Sequence, residues 1–280
     1  MNKPEVYEPI WLGATVYIRE KEAAMKEYKV RGIILREAPM GDKDKRLVML
    51  TRENGKIPVL AKGALSPKSR LAGLTQLFCY GEYRLSKGRT FYYIQEGTLR
   101  ESFFDLRQNL DRLAYATLIM EVAETLSLDG QENIQLLSLL LRALRAMCRA
   151  LEKSESLIAD AFILRSLAEN GFYPELSRCC VCGADTEDAN HFPPGGKNLF
   201  DFSRGGLICY RCQGQAGGAY LGAGALRALR YIVNEPQERV FSFTAQPEVQ
   251  HQLDEVAVGY LLQQTERRYK SLTFISSLRG

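Results

Sequence analysis

Between residues 29 and 99, short runs rich in Val, Ile, Leu, Phe and Tyr are separated at close intervals by Gly, Pro, Asn, Asp and charged residues. Apolar runs this short, each closed by turn residues, predict strands of a compact barrel or sandwich rather than helices. Five strands are expected: Lys29 to Glu37, Arg46 to Thr51, Lys56 to Lys62, Gln76 to Leu85 and Thr90 to Leu99. The polar stretch from Pro39 to Lys45 breaks the first from the second. Glu53-Asn54-Gly55 predicts a tight hairpin, because Asn-Gly tolerates the positive φ angles such a turn demands. Ser86-Lys87-Gly88-Arg89 predicts a second hairpin. Five short strands closing on themselves point to an OB-type β-barrel.

Beyond residue 100 the period changes to that of helices. From Asp105 to Leu128, apolar residues at Leu106, Leu110, Leu113, Ala114, Leu118, Ile119 and Val122 recur near every 3.6 positions, and Asp129-Gly130 ends the pattern. Glu132 to Leu151 and Ser154 to Asn170 predict two more helices, the latter closed by Gly171 with Pro174 beyond it. Gly224 to Asn234 and Pro247 to Tyr269 predict another two, with Gly217 to Gly224 as a flexible linker before them. The class is α+β multidomain: a five-stranded barrel over 25–100, then a helical bundle over 101–280.

Composition narrows the partners more than the fold. The chain has 280 residues, of which 46% are hydrophobic and 25% charged, as in a soluble globular protein rather than a disordered or fibrous one. Its longest uncharged apolar runs, Leu113 to Met120 and Leu136 to Leu141, fall short of the roughly 18 residues a membrane span needs. The first 22 residues carry Glu5 and Glu8 and no apolar core of signal-peptide length, so the expected location is cytoplasmic, with no membrane partner. The net charge of +4 is uneven. Residues 28–100 hold fifteen Lys or Arg against six Asp or Glu, a net of +9, whereas 1–27 sum to −1 and 101–280 to −4. A basic barrel beside a mildly acidic body fits nucleic acid better than other partners.

Such barrels hold single strands by tracking phosphates with cations and stacking bases on aromatic rings. Candidate cations fall near strand ends at Lys43, Lys45, Arg46, Lys56, Lys62, Lys68, Arg70, Lys87 and Arg89. Phe78, Tyr80, Tyr83, Phe91, Tyr92 and Tyr93 supply aromatics, about half of which must face the core by strand alternation. On the second predicted helix, Arg142, Arg145 and Arg149 are spaced by three and four residues along one face. Two readings stand for them: a solvated face over a Leu-rich core, or a groove for an acidic, hydrophobic peptide.

Five of the seven cysteines cluster as Cys179-Cys180-Val181-Cys182 and Cys209-Tyr210-Arg211-Cys212. Two C-x-x-C pairs can each bend into a knuckle, and two knuckles complete a tetrahedral four-thiolate zinc site. In a cytosolic chain this pattern reads as metal binding rather than a disulfide framework. The expected ligands of this one structural Zn(2+) are Cys179, Cys182, Cys209 and Cys212. Cys180 competes for the metal, but only Cys179 has the two-residue spacing to Cys182. Gly183 and Gly205-Gly206 allow the backbone turns that knuckles need. Cys79 and Cys148 read as small core residues.

Four motifs carry a resemblance to a known family. Lys29-Val30-Arg31-Gly32-Ile33-Ile34-Leu35, Gly41-Asp42-Lys43-Asp44, Ala61-Lys62-Gly63-Ala64 and Pro67-Lys68-Ser69-Arg70-Leu71 resemble the amino-terminal OB domain of the RecO family. The likeness runs from about Met25, where Met25-Lys26-Glu27-Tyr28 is similar to the family's opening, to Lys270-Ser271-Leu272 near its end. Residues 1–24 fall outside it and are read as an appended segment or an upstream start. The resemblance implies a recombination mediator that binds single-stranded and double-stranded DNA, anneals complementary strands and helps load RecA. It further implies a nucleoid-associated location, RecR and in some systems RecF as partners, and the acidic carboxyl-terminal tail of single-stranded-DNA-binding protein (SSB) in the helical domain. It also makes the cysteine module, residues 175–220, an insertion within one helical domain. Arg267, Arg268 and Lys270 form a further candidate basic patch.

No catalytic constellation emerges. His191 and His251 are the only histidines, and Gly195-Gly196-Lys197 lacks both the leading glycine and the following Ser or Thr of a phosphate loop. The expectation is a binding protein and not an enzyme. The alternatives are a zinc-ribbon adaptor for protein contacts, whose basic barrel engages an acidic protein, and a zinc-dependent nucleic-acid enzyme. Replacing Lys62, Lys68 and Arg70 together with Ala is expected to weaken single-strand binding and flatten its salt dependence, measured by titrating salt against a labelled oligonucleotide.

Overall fold

The computed structural model describes residues 27–150, 155–214 and 217–279; the reading of residues 1–24 lies outside them. β1 (Glu27–Met40), β2 (Asp44–Thr51), β3 (Gly55–Ala61), β4 (Tyr80–Lys87) and β5 (Tyr92–Glu101) close into a barrel in the order β1-β2-β3-β5-β4. All neighbours are antiparallel except β3 and β5, which meet in parallel at Val59–Tyr92 and Leu60–Tyr93 and complete the closure. β1 pairs with β4 through Glu27–Ile33 and with β2 through Gly32–Met40, with an irregularity between Ile34 and Arg36. One extra residue there bends the strand so that it serves two neighbours. The barrel interior is filled by Val30, Ile34, Leu47, Met49, Ile57, Val59, Tyr83, Leu85 and Ile94.

β4 begins later than the alternation predicts. Residues 76–79 form a turn in which Phe78 takes a φ of 69° with its ring fully buried. Its N–H donates to the Ile34 carbonyl at 3.1 Å, and the Ile34 N–H donates to Cys79 at 3.0 Å. A bulky residue at positive φ is strained, and here the burial of the ring offsets that strain.

The outer face of β1 and β2 is not free. Ile33, Leu35 and Leu50 pack into the same core as the helices, so the barrel is fused to the helical body rather than tethered to it. After a short 3-10 turn at Phe104–Arg107, the body contains α1 (Leu110–Leu126), α2 (Ile134–Arg149), α3 (Glu155–Glu169), α4 (Ala223–Asn234), α5 (Pro247–Thr265) and α6 (Lys270–Arg279). Asn109 and Asn133 start α1 and α2 by accepting from the N–H groups of Arg112 and Leu136. The single helix expected over Pro247 to Tyr269 instead stops at Thr265. Glu266 adopts the left-handed conformation, at a φ of 50°, and a further helix follows. The turn buries Tyr269 and lets Ser271 donate its hydroxyl to Glu121 on α1 at 2.7 Å.

Between α3 and α4 lies a small antiparallel sheet, order β7-β6-β8, from β6 (Asn198–Asp201), β7 (Gly206–Ile208) and β8 (Gly218–Leu221). β8 corrects the linker reading of Gly217 to Gly224. Gly218 is there because an added Cβ would lie 1.9 Å from the Phe200 carbonyl oxygen, a contact the sheet pairing imposes.

The Asn54-Gly55 hairpin forms as expected, with Thr51 Oγ1 accepting from Asn54 N–H and donating to the Gly55 carbonyl. It also docks on the α1–α2 connection, where Lys56 N–H donates to the Leu128 carbonyl at 3.1 Å. Gly55 has a φ of 57°, and a Cβ there would fall 1.9 Å from the Gln131 carbonyl oxygen. Gly55→Ala should therefore cost about 1–3 kcal/mol through backbone strain and collision. For a chain of this size that is a drop of roughly 3–10 °C in Tm, read by thermal denaturation.

Candidate nucleic-acid interface and metal centre

Strand pairing decides which barrel side chains share a surface. In the register, Ala38, Arg46, Leu60 and Tyr93 stand side by side across β1, β2, β3 and β5. Residues directly opposite one another point to the same face of a sheet. Arg46 is exposed, Tyr93 is half-buried, and Lys62 Nζ lies 5.0 Å from the centre of the Tyr93 ring. The adjacent row, Leu47, Val59 and Tyr92, faces the barrel core. Tyr92 also packs edge-on against Tyr28 at 5.5 Å, with Lys87 Nζ 5.7 Å from its ring centre. Tyr93 is thus the ring placed outward beside free cations, whereas Phe78 and Tyr83 are buried core residues.

The connections around this row are tied together. Asp44 Oδ1 accepts from Gly63 N–H at 2.7 Å, and the Lys43 carbonyl accepts from Leu65 N–H at 2.9 Å. These two bonds hold the β1–β2 loop against the segment after β3. Lys43, Arg46, Lys62, Lys68, Arg70, Lys87 and Arg89 are exposed, and among the described residues none has a carboxylate within ion-pairing distance.

Two of the nine expected cations are placed otherwise. Lys56 Nζ donates to the Glu124 carbonyl at 3.0 Å and pairs with Asp129 at 3.4 Å, fastening the hairpin to the helical body. Lys45 is only 14% exposed and pairs with Glu37. Four of the β1, β4 and β5 cations that the sequence left unassigned are also neutralised, Arg31 by Glu53, Arg36 by Glu124, Arg84 by Glu27 and Glu96, and Arg100 by Glu82, whereas Lys29 stays exposed. The positive surface is narrower than the count of basic residues implies.

The three-arginine stripe of α2 does not persist as a free face. Arg145 Nε reaches both Glu101 oxygens at 3.1 and 3.0 Å, which raises the guanidinium pKa chiefly through that hydrogen bond and locks α2 to the end of β5. Arg142 pairs with Glu238 at 2.6 Å. Arg149 is exposed. Sequence reading also missed two structural arginines. Arg112 joins α1 to Glu155 of α3 at 3.1 Å, and Arg165 donates to the Val233 and Glu235 carbonyls at 2.7 and 2.8 Å, closing the carboxyl end of α4. Neither sits in a motif, so only the fold reveals them.

The four expected metal ligands converge. The Sγ atoms of Cys179, Cys182, Cys209 and Cys212 all lie within 4.8 Å of one another, with Cys182 and Cys209 3.7 Å apart. Metal–sulfur bonds of about 2.3 Å in a tetrahedron give sulfur separations of about 3.8 Å, so the spacing fits a tetrahedral ion. Each knuckle closes by its own backbone: Gly183 N–H donates to the Cys179 carbonyl, and Cys212 N–H to that of Cys209, both at 2.9 Å. Burial raises the Cys179 pKa, but N–H donors from Cys182, Cys209 and Val181 outweigh it and bring the thiol down to about 6. Cys212 is pushed up to about 12, first by its hydrogen bond to Cys209 and then by burial, and burial also raises Cys209. One thiolate forms readily and then opposes the next, so four together require a cation among them.

Cys180 turns the other way. Its N–H pairs with the Leu207 carbonyl at 2.8 Å, and its sulfur would lie 2.5 Å from a Cβ at Gly206. It is half-buried, its pKa is raised by that burial, and it stands outside the thiol cluster. The glycine pair has divided roles: Gly205 supplies a φ of 65°, while Gly206 leaves room for Cys180 and the Glu175 backbone.

Both halves of the chain match profiles of one known family. Residues 25–103 match the profile described as Recombination protein O N terminal, and residues 107–273 match Recombination protein O C terminal. The chain belongs to the RecO family. A DNA repair protein RecO from Acetivibrio thermocellus is 33% identical over 255 residues, covering 91% of this chain and 98% of that protein. One from Symbiobacterium thermophilum is 34% identical over 257 residues, covering 91% and 99%. The two RecO profiles meet between residues 103 and 107, where β5 gives way to the 3-10 turn and α1. Among the described residues, no helix is long and apolar enough to cross a membrane.

Metal retention separates the cysteines of this RecO-family chain. Cys180→Ser should keep one metal ion per chain and Cys209→Ser should lose it, measured by metal analysis of the purified proteins. Cys179 is ionised above about pH 6, so the remaining ligands release their protons on binding. Affinity then falls as pH is lowered, by more than about tenfold per pH unit through the thiol range, in a chelator competition.

Proposed function

We propose that this chain is a non-enzymatic mediator of recombinational repair that binds single-stranded DNA, and duplex DNA through the same phosphates, on the outer face of β2, β3 and β5. The observation that carries this reading is the row Arg46, Leu60 and Tyr93 with Lys62 over the ring. It combines phosphate-tracking cations with a stacking platform at hydrogen-bonded strand spacing. Lys43, Lys87 and Arg89 border it, and Lys68 and Arg70 follow on the connection to β4. Family membership supports the rest: annealing of complementary strands, and loading of RecA onto SSB-coated DNA with RecR and, where present, RecF.

The thiol cluster holds zinc. Four thiolates suit Zn(2+), which needs no particular geometry beyond a tetrahedron, and they leave no coordination position for water. The ion therefore joins the two knuckles and stiffens the inserted sheet without taking part in bond making. Arg142 and Arg145 already have carboxylate partners, and Arg149 is the exposed member of that helix with no carboxylate at ion-pairing distance among the described residues, which favours it for the acidic SSB tail. A protein-contact role for the zinc module has its own support in Val181 and Tyr210, which stand 52% and 53% exposed at the two knuckle tips.

The decisive assay is annealing of complementary oligonucleotides coated with SSB. Replacing Lys62, Lys87 and Arg89 with Ala is expected to slow annealing about tenfold and to lower the salt slope of single-strand binding by about 2, from three lost phosphate contacts. Unchanged annealing and slope would remove the strand from this face, and the zinc-module reading would then stand alone.

A further inference from the structure

The outer face that carries Arg46 continues across β1 toward the helices. The neighbour of Arg46 in the register on β1 is Ala38, and Arg36 lies two residues along that strand, about 7 Å away and on the same side. Arg36 is 61% exposed and marks the seam between barrel and helices. A cleft of about 420 Å³ opens there, and its far wall is the corner between α5 and α6, carrying Arg267, Arg268 and Lys270. The left-handed turn at Glu266 brings those three cations to this position, since a helix continuing past Thr265 would have carried them onward along its axis.

The acids of the cleft are already satisfied. Glu124 pairs with Arg36 at 2.8 Å, Glu37 with Lys45, and Glu121 accepts from the Ser271 hydroxyl and N–H at the start of α6. Glu37 also accepts from Leu77 N–H at 3.0 Å. Arg267, Arg268 and Lys270 are exposed, and no carboxylate lies within ion-pairing distance of any of them among the described residues. Three unneutralised cations facing a seam whose carboxylates are all engaged favour a polyanion, and the row from Tyr93 through Arg46 to Arg36 leads one there.

We propose that the α5–α6 corner is a second phosphate-binding site, which takes the sugar-phosphate backbone of a DNA strand leaving the barrel. This rests on the assignment of DNA to the barrel face and extends the path onto the helical body. A strand filling only the barrel would not touch the corner. A longer one would cross the seam at Arg36 and be held by Arg267, Arg268 and Lys270. The RecO-type barrel then sets where the strand enters and the helical body sets its exit direction.

The test compares labelled oligo-dT probes of graded length on the full chain and on a variant combining Arg267→Gln, Arg268→Gln and Lys270→Gln. The changes are on exposed side chains, and an unchanged Tm confirms the fold. An oligonucleotide of about 8 nucleotides should bind both proteins equally. One of about 30 should bind the variant about tenfold more weakly at 0.1 M salt, with a log–log salt slope lower by about 2. A second variant, Arg267→Lys with Arg268→Lys, should restore long-oligonucleotide binding, because phosphate tracking needs charge rather than guanidinium shape. Equal binding of the long probe to the full chain and the Gln variant overturns the proposal, as does an equal loss for both lengths. Binding of an acidic, aromatic-ended peptide that the Gln variant loses, with DNA binding the same in both proteins, also overturns it, giving the corner to a protein partner. Failure of the full chain to bind any probe would instead defeat the barrel reading itself.

Discussion

One strand with both faces buried organises this molecule. β1 contributes Val30 and Ile34 to the barrel interior and Ile33 and Leu35 to the helical core, so the same fourteen residues wall two hydrophobic compartments. A barrel usually leaves its outer surface to solvent; here about half of β1 and β2 is covered. The covered half fixes what the uncovered half can do. Lys56, Arg36 and Arg145, which meet the seam, acquire partners there, and Arg46 on β2 and Lys62 just after β3 keep their charge for an external anion.

This arrangement also explains why charge counting overstates the interface. A segment with a net of +9 could bind polyanions on every side. Folding pairs Arg84 and Arg100 with cross-strand glutamates, pairs Arg31 with Glu53 of the β2–β3 turn, and ties Lys45 and Lys56 into the structure. Exposed pairs of this kind add little stability, at most about 1 kcal/mol each, but they remove cations from competition for a ligand. What remains is a directed track rather than a diffuse basic shell. Direction matters to the proposed DNA role, because a diffuse positive surface would hold DNA without presenting its bases.

The inserted four-cysteine module follows a different logic. Its three short strands total eleven residues and bury too little apolar surface to stand without help. Phe200 and Leu207 nonetheless belong to the helical core, and Tyr260 of α5 packs edge-on against Phe200 at 5.3 Å. The module is held from below by the bundle and from above by the knuckles. Cys180 stands apart from this arrangement: its sulfur lies against Gly206, outside the cluster that brings Cys179 and Cys182 together.

Much of this was legible in the amino-acid sequence, because the information was local. Alternation placed five strands within a few residues, Asn54-Gly55 placed the hairpin, and C-x-x-C spacing named four ligands and set Cys180 aside. These features depend on backbone preference and on atoms only a few bonds apart. A further local sign is that the unbroken runs Gly32 to Leu35 and Leu47 to Leu50 depart from alternation, as strands buried on both faces do. What the sequence could not decide was which charges would find partners, since Arg145 and Glu101, or Lys56 and Asp129, lie far apart along the chain and meet only after docking. Nor could it place Glu266 at a left-handed turn, where no glycine marks the break and the burial of Tyr269 selects it. Element identity follows from neighbours in sequence; the function of a surface cation follows from neighbours in space, and only the tertiary structure supplies those.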